Sequence, residues 1–238
     1  MKLAIMQPYF FPYLGYFELI QLSDAWIVFD TVKYNPKSWM NRNRILHPTR
    51  GWQYVTAPVD RASGGELLCE MQLIDPAAAM QRLLGQIDHY RVHRAPFFGA
   101  VRSLIERSFD LASPVSLRDL CVRALAETCA HVGLDFRPQS LSSMDLPLPT
   151  ISHAGQWALE ISSAMKADIY INAPGGRDLF LPEEFAARGI ELQFLQPNPF
   201  RYATPGYDFV ENLSIIDVLM WTAPEVVRAR LAKASVQP

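Results

Sequence analysis

Aromatic side chains crowd the segment that follows the first apolar run of the chain, residues 3–6. Residues 7–17 are Gln-Pro-Tyr-Phe-Phe-Pro-Tyr-Leu-Gly-Tyr-Phe. A loop that leaves the end of a strand cannot place so many rings in the core, so some of them are expected to line a pocket. A hydrophobic plug that only stiffens the loop is the alternative. The residues predicted to bind substrate here are Gln7, Tyr9, Tyr13 and Tyr16.

A group of polar residues follows the next apolar run, residues 25–29. Asp30 stands at the expected carboxyl end of a strand and three residues before Lys33, which suits a general base or a polar anchor for substrate. In extended chain, two arginines separated by one residue point to the same side and can grip a phosphate or diphosphate. A salt-bridged surface is the alternative. The binding residues predicted in this block are Trp39, Asn41, Arg42 and Arg44.

A glycine pair follows a later apolar run, residues 168–172. Adjacent glycines permit positive φ and a close backbone approach, as an anion-binding nest requires, and a neighbouring arginine would add charge. Paired glycines also occur in ordinary turns. The predicted binding residues of this segment are Asn172, Gly175, Gly176 and Arg177.

Histidines offer a further acid or base. His153 lies near an expected helix start and titrates near neutrality, so it joins Asp30 and Lys33 as a catalytic candidate, with a structural role as the alternative. His89 and His93 have the spacing of a zinc pair but no matching third ligand, so no metal site is expected.

The elements that must position these residues alternate between strand and helix. Apolar runs predict strands over residues 3–6, 25–29, 52–59, 168–172 and 191–195. Helical spacing predicts helices over residues 16–22, 150–165, 182–188 and 214–221, the last capped by Ser214 with Asp217 in its first turn. Residues 76–131 are expected to be mainly helical, with breaks at Pro96 and Pro114.

This alternation predicts an α/β fold: an open, mostly parallel, Rossmann-like (nucleotidyltransferase-like) sheet with helices on both faces. Residues 1–238 are expected to form a single α/β domain, in which 76–135 is a mainly helical insertion or lobe. In such sheets ligands bind beyond the carboxyl ends of the strands. The loops 7–15, 30–44 and 172–178 are therefore expected to converge.

Composition limits the class of protein. The 238 residues are 50% hydrophobic and 19% charged, enough apolar material for a core. The formal net charge of −2 gives no field that would recruit nucleic acid. No apolar run approaches the roughly 20 residues of a membrane span, and none forms a signal peptide, so a cytoplasmic location is expected. Three cysteines fit neither a paired framework nor a metal site.

Together these motifs resemble the WbqC-like family over residues 1–221. The resemblance rests on residues 6–17, on Asp30 with the block 39–44, on 170–172 with the glycine pair, and on 212–217. It implies a bacterial protein, often associated with O-antigen or other surface-polysaccharide gene sets, in which amino sugars are modified.

The opening also resembles, more distantly, the nucleotidyltransferase-type α/β folds, pantoate ligase included. Those enzymes hold ATP phosphates with two histidines in the first loop. The nearest positions here are Tyr13 or Leu14 and Tyr16. The fold resemblance is therefore expected to hold without that chemistry.

Three functional hypotheses follow. The first is a transferase that moves an acyl or aminoacyl group onto the amine of a nucleotide-linked amino sugar. The arginines and the glycine loop would hold the diphosphate, Asp30 or His153 would take the amine proton, and an acyl or peptidyl carrier protein would be a partner. No cofactor is assigned beyond an acyl or aminoacyl thioester donor. The second is a nucleotidyltransferase or adenylate-forming ligase that uses ATP and Mg²⁺. The third is a non-catalytic protein that binds sugar nucleotides.

Overall fold

A computed structural model of the chain describes residues 1–60 and 65–238. The strands are β1 (Lys2–Met6), β2 (Ala25–Val28), β3 (Arg42–Leu46), β4 (Trp52–Thr56), β5 (Val59–Asp60), β6 (Gln72–Leu73), β7 (Pro138–Ser140), β8 (Ile169–Asn172), β9 (Glu191–Leu195) and β10 (Val236–Gln237). The helices are α1 (Leu14–Leu22), α2 (Pro76–Val92), α3 (Phe98–Ser108), α4 (Leu117–Val132), α5 (Gln156–Ala164), α6 (Pro182–Ala187), α7 (Ile215–Trp221) and α8 (Pro224–Leu231).

The central sheet has the strand order β10-β9-β8-β1-β2-β7. The five strands from β9 to β7 pair in parallel, and β10 joins β9 antiparallel at one edge. The chain moves from β1 outward through β2 to β7, then crosses back to β8 on the other side of β1. The strand order therefore reverses between β1 and β8. The predicted mixed α/β fold with a mostly parallel sheet is confirmed.

The apolar runs of the central strands fit burial on both faces of the sheet. In β1, Ala4 packs into one core cluster with α1, α2, α3, α4 and α7, whereas Leu3 and Ile5 pack into another with α5 and α6. All three side chains are at most 5% exposed. Parallel strands covered on both faces need apolar residues at successive positions, which explains why these strands were visible in the sequence.

Helices α2, α3 and α4 occupy most of the stretch that was expected to be helical. Asp75 caps α2 by accepting a hydrogen bond from the amide of Ala78 at 2.9 Å, and Ser116 caps α4 through the amide of Asp119. Gly133 ends α4 in the left-handed conformation, with φ of 75°. These caps fix the start of α2 and both ends of α4, and Ser116 directly follows the predicted break near Pro114.

Some expected elements differ from the structure. The strand expected over 52–59 ends at Thr56 and forms an antiparallel hairpin, because β4 pairs with β3 and not with the central sheet. The helix expected over 150–165 begins only at Gln156. At Gly155 the chain passes so close to Leu179 that an added Cβ would lie 2.0 Å from its carbonyl oxygen. Strands β3, β5, β6, β7 and β10 and helix α8 were not predicted as separate elements.

Candidate functional site

A pocket of about 450 Å³ lies at the carboxyl edge of the central sheet. Its wall includes the loop after β1, the first turns of α1, Pro174 after β8 and Leu195 at the end of β9. The segment 197–213, which leads to α7, supplies about half of the lining residues. The pocket thus lies where the strand order reverses, which is where ligands bind in open α/β sheets.

The aromatic loop after β1 divides its rings between core and pocket. Phe10 and Phe11 are buried, at 1% and 0% exposure, whereas Tyr9 and Tyr13 line the pocket. Tyr16 was predicted to offer its hydroxyl to a ligand, but it is buried in the core and donates that hydroxyl to the carbonyl of Gln7. The loop is therefore both a plug and a pocket wall.

Two distant side chains hold this loop. Nδ2 of Asn43 donates to the carbonyls of Phe10 at 3.1 Å and Phe11 at 2.9 Å, and Oγ of Ser214 donates to the Phe11 carbonyl at 2.7 Å. Phe11 has a positive φ of 42°, which a side chain that is not glycine adopts at a cost. Because Asn43 and Ser214 are themselves buried, the unfavourable backbone at Phe11 is fixed by β3 and by the start of α7.

The two predicted arginines lie on one face of β3, as their spacing indicated. Arg44 lines the pocket and lies between Trp39, at 5.4 Å from its ring centre, and Trp52, at 5.1 Å. Arg42 lies outside the lining residues. It stacks on Tyr54 at 4.6 Å and donates to two backbone carbonyls of the preceding loop, so it is used structurally.

A second pocket arginine was missed in the sequence. Arg201 lines the pocket from the segment 197–213, with its guanidinium 5.0 Å from the ring centre of Phe209. Neither Arg44 nor Arg201 forms an ion pair with any residue that the structure describes. Both positive charges are therefore available to an anionic ligand.

A buried carboxylate on α1 also lines the pocket. Glu18 is paired with Arg230 of α8 at 2.8 Å, and the two side chains are only 5% and 8% exposed. Arg230 also donates to the carbonyl of Asn198 in the pocket wall. Burial raises the pKa of Glu18, and the charge of Arg230 opposes that shift. A single acid among the mostly apolar residues of α1 was the signal that could have found it.

A second buried carboxylate lies behind the pocket. Oδ2 of Asp217 accepts a hydrogen bond from the hydroxyl of Tyr202, and Oδ1 accepts one from Tyr90, each at 2.5 Å. Tyr202 lines the pocket, whereas Asp217 is 1% exposed. Ser214 caps α7 as predicted, through the amide of Ile216. Burial raises the pKa of Asp217 to about 6.

Asp30 and Lys33 are not brought to the pocket or to each other. Asp30 is fully buried and accepts hydrogen bonds from the amide of Ser142 at 2.9 Å, from its hydroxyl at 2.5 Å and from Arg118 at 3.2 Å. It thereby ties the loop after β2 to the residues after β7. Lys33 forms an exposed ion pair with Glu66 at 2.6 Å, which raises the pKa of Lys33.

The predicted glycine nest does not form. Gly175 and Gly176 lie in a 3₁₀ helix, Pro174–Leu179, and neither has a positive φ. The amide of Gly176 is used within that helix, on the carbonyl of Ala173. Arg177 turns to the ring of Phe194, 4.2 Å from its centre, and does not line the pocket.

The remaining candidates also have structural partners outside the pocket lining. His153 pairs with Glu184 at 3.2 Å. Asn172 donates to the hydroxyl of Tyr170 and accepts from the next backbone amide. Asn41 donates to the carbonyl of Ala57 at 3.0 Å.

The segments that build the pocket lie within the region matched by a family model. That model is described as the WbqC-like protein family, and it matches residues 7–229. The chain belongs to the WbqC-like protein family. It is also similar to the uncharacterized protein Rv1507c of Mycobacterium tuberculosis, with 26% identity over 222 residues, which cover 92% of each chain. No solved structure matches the chain significantly.

The described part of this WbqC-like chain contains neither a metal-binding cluster nor a membrane-spanning helix. Within residues 1–60 and 65–238, no three His, Cys, Asp or Glu side chains form a group that could hold a metal ion. In the same part of the chain, every helix is too short or too polar to cross a bilayer.

Proposed function

We propose that this WbqC-like protein is a transferase that moves an acyl or aminoacyl group onto the amine of a nucleotide-linked amino sugar. The observation that carries the proposal is the composition of the pocket at the reversal point of the sheet. Aromatic walls from Tyr9, Tyr13 and Trp39 suit a sugar or a base, Arg44 and Arg201 suit a diphosphate, and Glu18 suits an amine.

The strand order supports a nucleotide ligand. If the five parallel strands are numbered along the chain, their order is 3-2-1-4-5, the order of the Rossmann-like dinucleotide-binding folds. In those folds the ligand lies beyond the carboxyl ends of the first and fourth strands. The pocket of this chain includes residues after β1 and β8, the equivalent positions.

Glu18 is the base in the proposed reaction. The ammonium group of the sugar gives its proton to the carboxylate, and the free amine attacks the carbonyl carbon of an acyl or aminoacyl thioester. The C–N bond forms, the C–S bond breaks, and the thiol leaves with a proton. Burial raises the pKa of Glu18, which makes its carboxylate a stronger base. Asp30 and His153, the bases expected from the sequence, do not line the pocket.

The test combines binding with product detection. Purified protein is titrated by calorimetry with UDP-glucosamine, UDP-N-acetylglucosamine, a dTDP-linked amino sugar and ATP, then incubated with acyl-coenzyme A or aminoacylated carrier protein and analysed by mass spectrometry. We expect the amino-sugar nucleotides to bind and to gain the mass of one acyl or aminoacyl group. Arg44→Ala should weaken binding about tenfold or more. Arg137→Ala, an exposed arginine outside the pocket lining, should not.

Other outcomes would replace the proposal. Binding of ATP alone, with release of diphosphate, would establish the nucleotidyltransferase or ligase hypothesis. Tight binding of amino-sugar nucleotides with no acylated product from any donor would establish a non-catalytic binding protein.

A further inference from the structure

The β3–β4 hairpin carries a row of rings and guanidinium groups on one face. This hairpin face consists of Trp39, Trp52, Tyr54, Arg42 and Arg44. The rings of Trp52 and Tyr54 lie 4.9 Å apart and those of Trp39 and Tyr54 lie 6.4 Å apart, measured between centres. Trp52 is 41% exposed and Tyr54 is 39% exposed. Large rings left so open in a folded chain are candidates for binding.

The hairpin face is positively charged and uncompensated. Arg42 stacks on Tyr54, and Arg44 lies over both tryptophans. Neither arginine forms an ion pair with a residue in the described ranges. Arg44 donates one hydrogen bond there, from Nη2 to the carbonyl of Asn212 at 3.3 Å, and its buried Nε has no acceptor. The charge of the face is complementary to an anion.

The hairpin face is continuous with the pocket. Trp39 and Arg44 belong to both, whereas Trp52, Tyr54 and Arg42 lie beyond the pocket lining. A ligand that fills the pocket and extends past Arg44 therefore emerges onto exposed rings.

We infer that the hairpin face is a stacking subsite for the base of a nucleoside diphosphate, with the diphosphate at Arg44 and the attached sugar in the pocket. This inference rests on the proposed function, whose ligand it orients. A base offers a flat π face to Trp52 and Tyr54, and it is joined through the ribose to phosphates that Arg44 can bind. A neutral sugar would use the rings but leave Arg44 without an anion.

A purely structural role makes a different prediction. Arg44 is directly opposite Tyr54 in the hairpin, and such cross-strand pairs stabilise hairpins on their own. If the rings only stabilise the hairpin, Trp52→Ala lowers the melting temperature and leaves ligand affinity unchanged.

The test uses the full-length protein and calorimetry with UDP, dTDP, inorganic diphosphate and methyl glucosaminide. Trp52→Ala should weaken UDP and dTDP about tenfold, because stacking of one base on one ring is worth roughly that factor. Trp52→Phe keeps a ring, so its affinity for UDP and dTDP should fall by less than about threefold. Inorganic diphosphate should bind the wild type, Trp52→Ala and Trp52→Phe equally. Arg44→Ala should weaken the binding of both diphosphate and UDP. Ile74→Ala, an exposed apolar residue of another segment, is the control.

The outcomes separate this inference from the proposed function. Equal UDP affinity in wild type and Trp52→Ala overturns the stacking subsite and leaves the transferase proposal standing. Loss of methyl glucosaminide binding in Trp52→Ala, with the affinity for UDP unchanged, shows that a sugar occupies the hairpin face. This outcome also overturns the stacking subsite. If the wild type binds no nucleotide at all, both fail. A melting temperature of Trp52→Ala near that of wild type confirms that the variant is folded.

Discussion

At the scale of single residues, the Glu18–Arg230 pair stands out because it places two charges in a poorly hydrated wall. The pair costs desolvation, and a well-packed apolar pair would often stabilise a fold as well or better. Arg230 contacts the pocket wall twice, at the carbonyl of Asn198 and near the ring of Phe200. The proposed reaction gives this costly pair a task, because in that proposal the carboxylate of Glu18 is the base.

Substitution of Glu18 separates stability from chemistry. Glu18→Gln leaves the charge of Arg230 buried without its partner, so the free energy of unfolding should fall by about 3 kcal/mol. The double variant Glu18→Gln/Arg230→Met removes both charges and should recover most of that loss in urea unfolding. Acyl transfer should fall about 100-fold or more in both variants, because neither has the base. Full turnover in the double variant would contradict the role of Glu18.

Asp30 supplies the comparison for this experiment. Its carboxylate joins the end of β2 to Ser142 after β7 and to Arg118 of α4, so Asp30→Asn should destabilise the fold and leave the ligand affinity of the remaining folded protein unchanged. If Asp30→Asn instead lost turnover without loss of stability, the catalytic role would return from Glu18 to Asp30.

At the scale of elements, the structure of the loop between β1 and α1 could be predicted from the sequence only in part. Its prolines and aromatics indicated a rigid, ring-lined loop. They did not indicate which rings enter the core, because Asn43 and Ser214 decide that, and they are 32 and 203 residues away from Phe11. A local pattern contains no information about such partners.

Asn43→Ala should loosen this loop. The carbonyls of Phe10 and Phe11 lose a buried donor, so the free energy of unfolding should fall by about 2 kcal/mol, and nucleotide affinity should fall as well because the loop carries Tyr9 and Tyr13. Chemical unfolding and calorimetry measure the two effects.

Asn41→Ala is the matched control for this prediction. Asn41 is also buried and also donates to a backbone carbonyl, that of Ala57, but it does not contact the loop through a hydrogen bond. It should lose about 1 kcal/mol of stability and keep its ligand affinity. Equal loss of affinity in both variants would show that the effect reflects general destabilisation.

Among the other elements, the sequence pattern predicted the strands that are buried along most of their length. The central strands β1, β2 and β8 were predicted because most of their residues are apolar at successive positions, whereas β9 has the sequence Glu-Leu-Gln-Phe-Leu, with polar residues between the apolar ones. Strand β7 has the sequence Pro-Gln-Ser, and β3 begins Arg-Asn-Arg, so neither shows an apolar run. Both are held by pairing with strands far along the chain or across a turn, which their composition does not record.

At the scale of the whole molecule, strand order decides which loops meet. The sequence predicted that residues 7–15, 30–44 and 172–178 converge. The structure brings 9, 12–15, 39, 43, 44 and 174 to the pocket, and leaves Asp30, Lys33 and the glycine pair outside it. It adds the irregular segment 197–213, whose prolines and aromatics resemble those of the first loop. That similarity of composition was the available signal.

Two groups with opposite effects on the pH dependence of stability contact Tyr90, which donates its hydroxyl to Asp217 and stacks on the ring of His89 with the ring centres 4.2 Å apart. Burial lowers the pKa of His89 from 6.5 to about 4, and burial raises the pKa of Asp217 from 3.8 to about 6. The contribution of His89 to the free energy of unfolding is present above pH 6.5 and is lost as the pH falls towards 4. The contribution of Asp217 is present below pH 3.8 and is lost as the pH rises through 6. Between pH 4 and 6 the two changes oppose each other.

In the variant Asp217→Asn, the pH dependence of the free energy of unfolding should therefore be the one that His89 causes. Asparagine does not titrate, so the stability of this variant should fall more steeply than that of wild type as the pH is lowered from 7 to 4. The difference in the free energy of unfolding, wild type minus variant, should rise by about 2 kcal/mol over that range. Urea unfolding at several pH values measures it. A difference that stays constant from pH 7 to 4 would mean that Asp217 titrates like an exposed carboxylate, despite its contacts with Tyr90 and Tyr202.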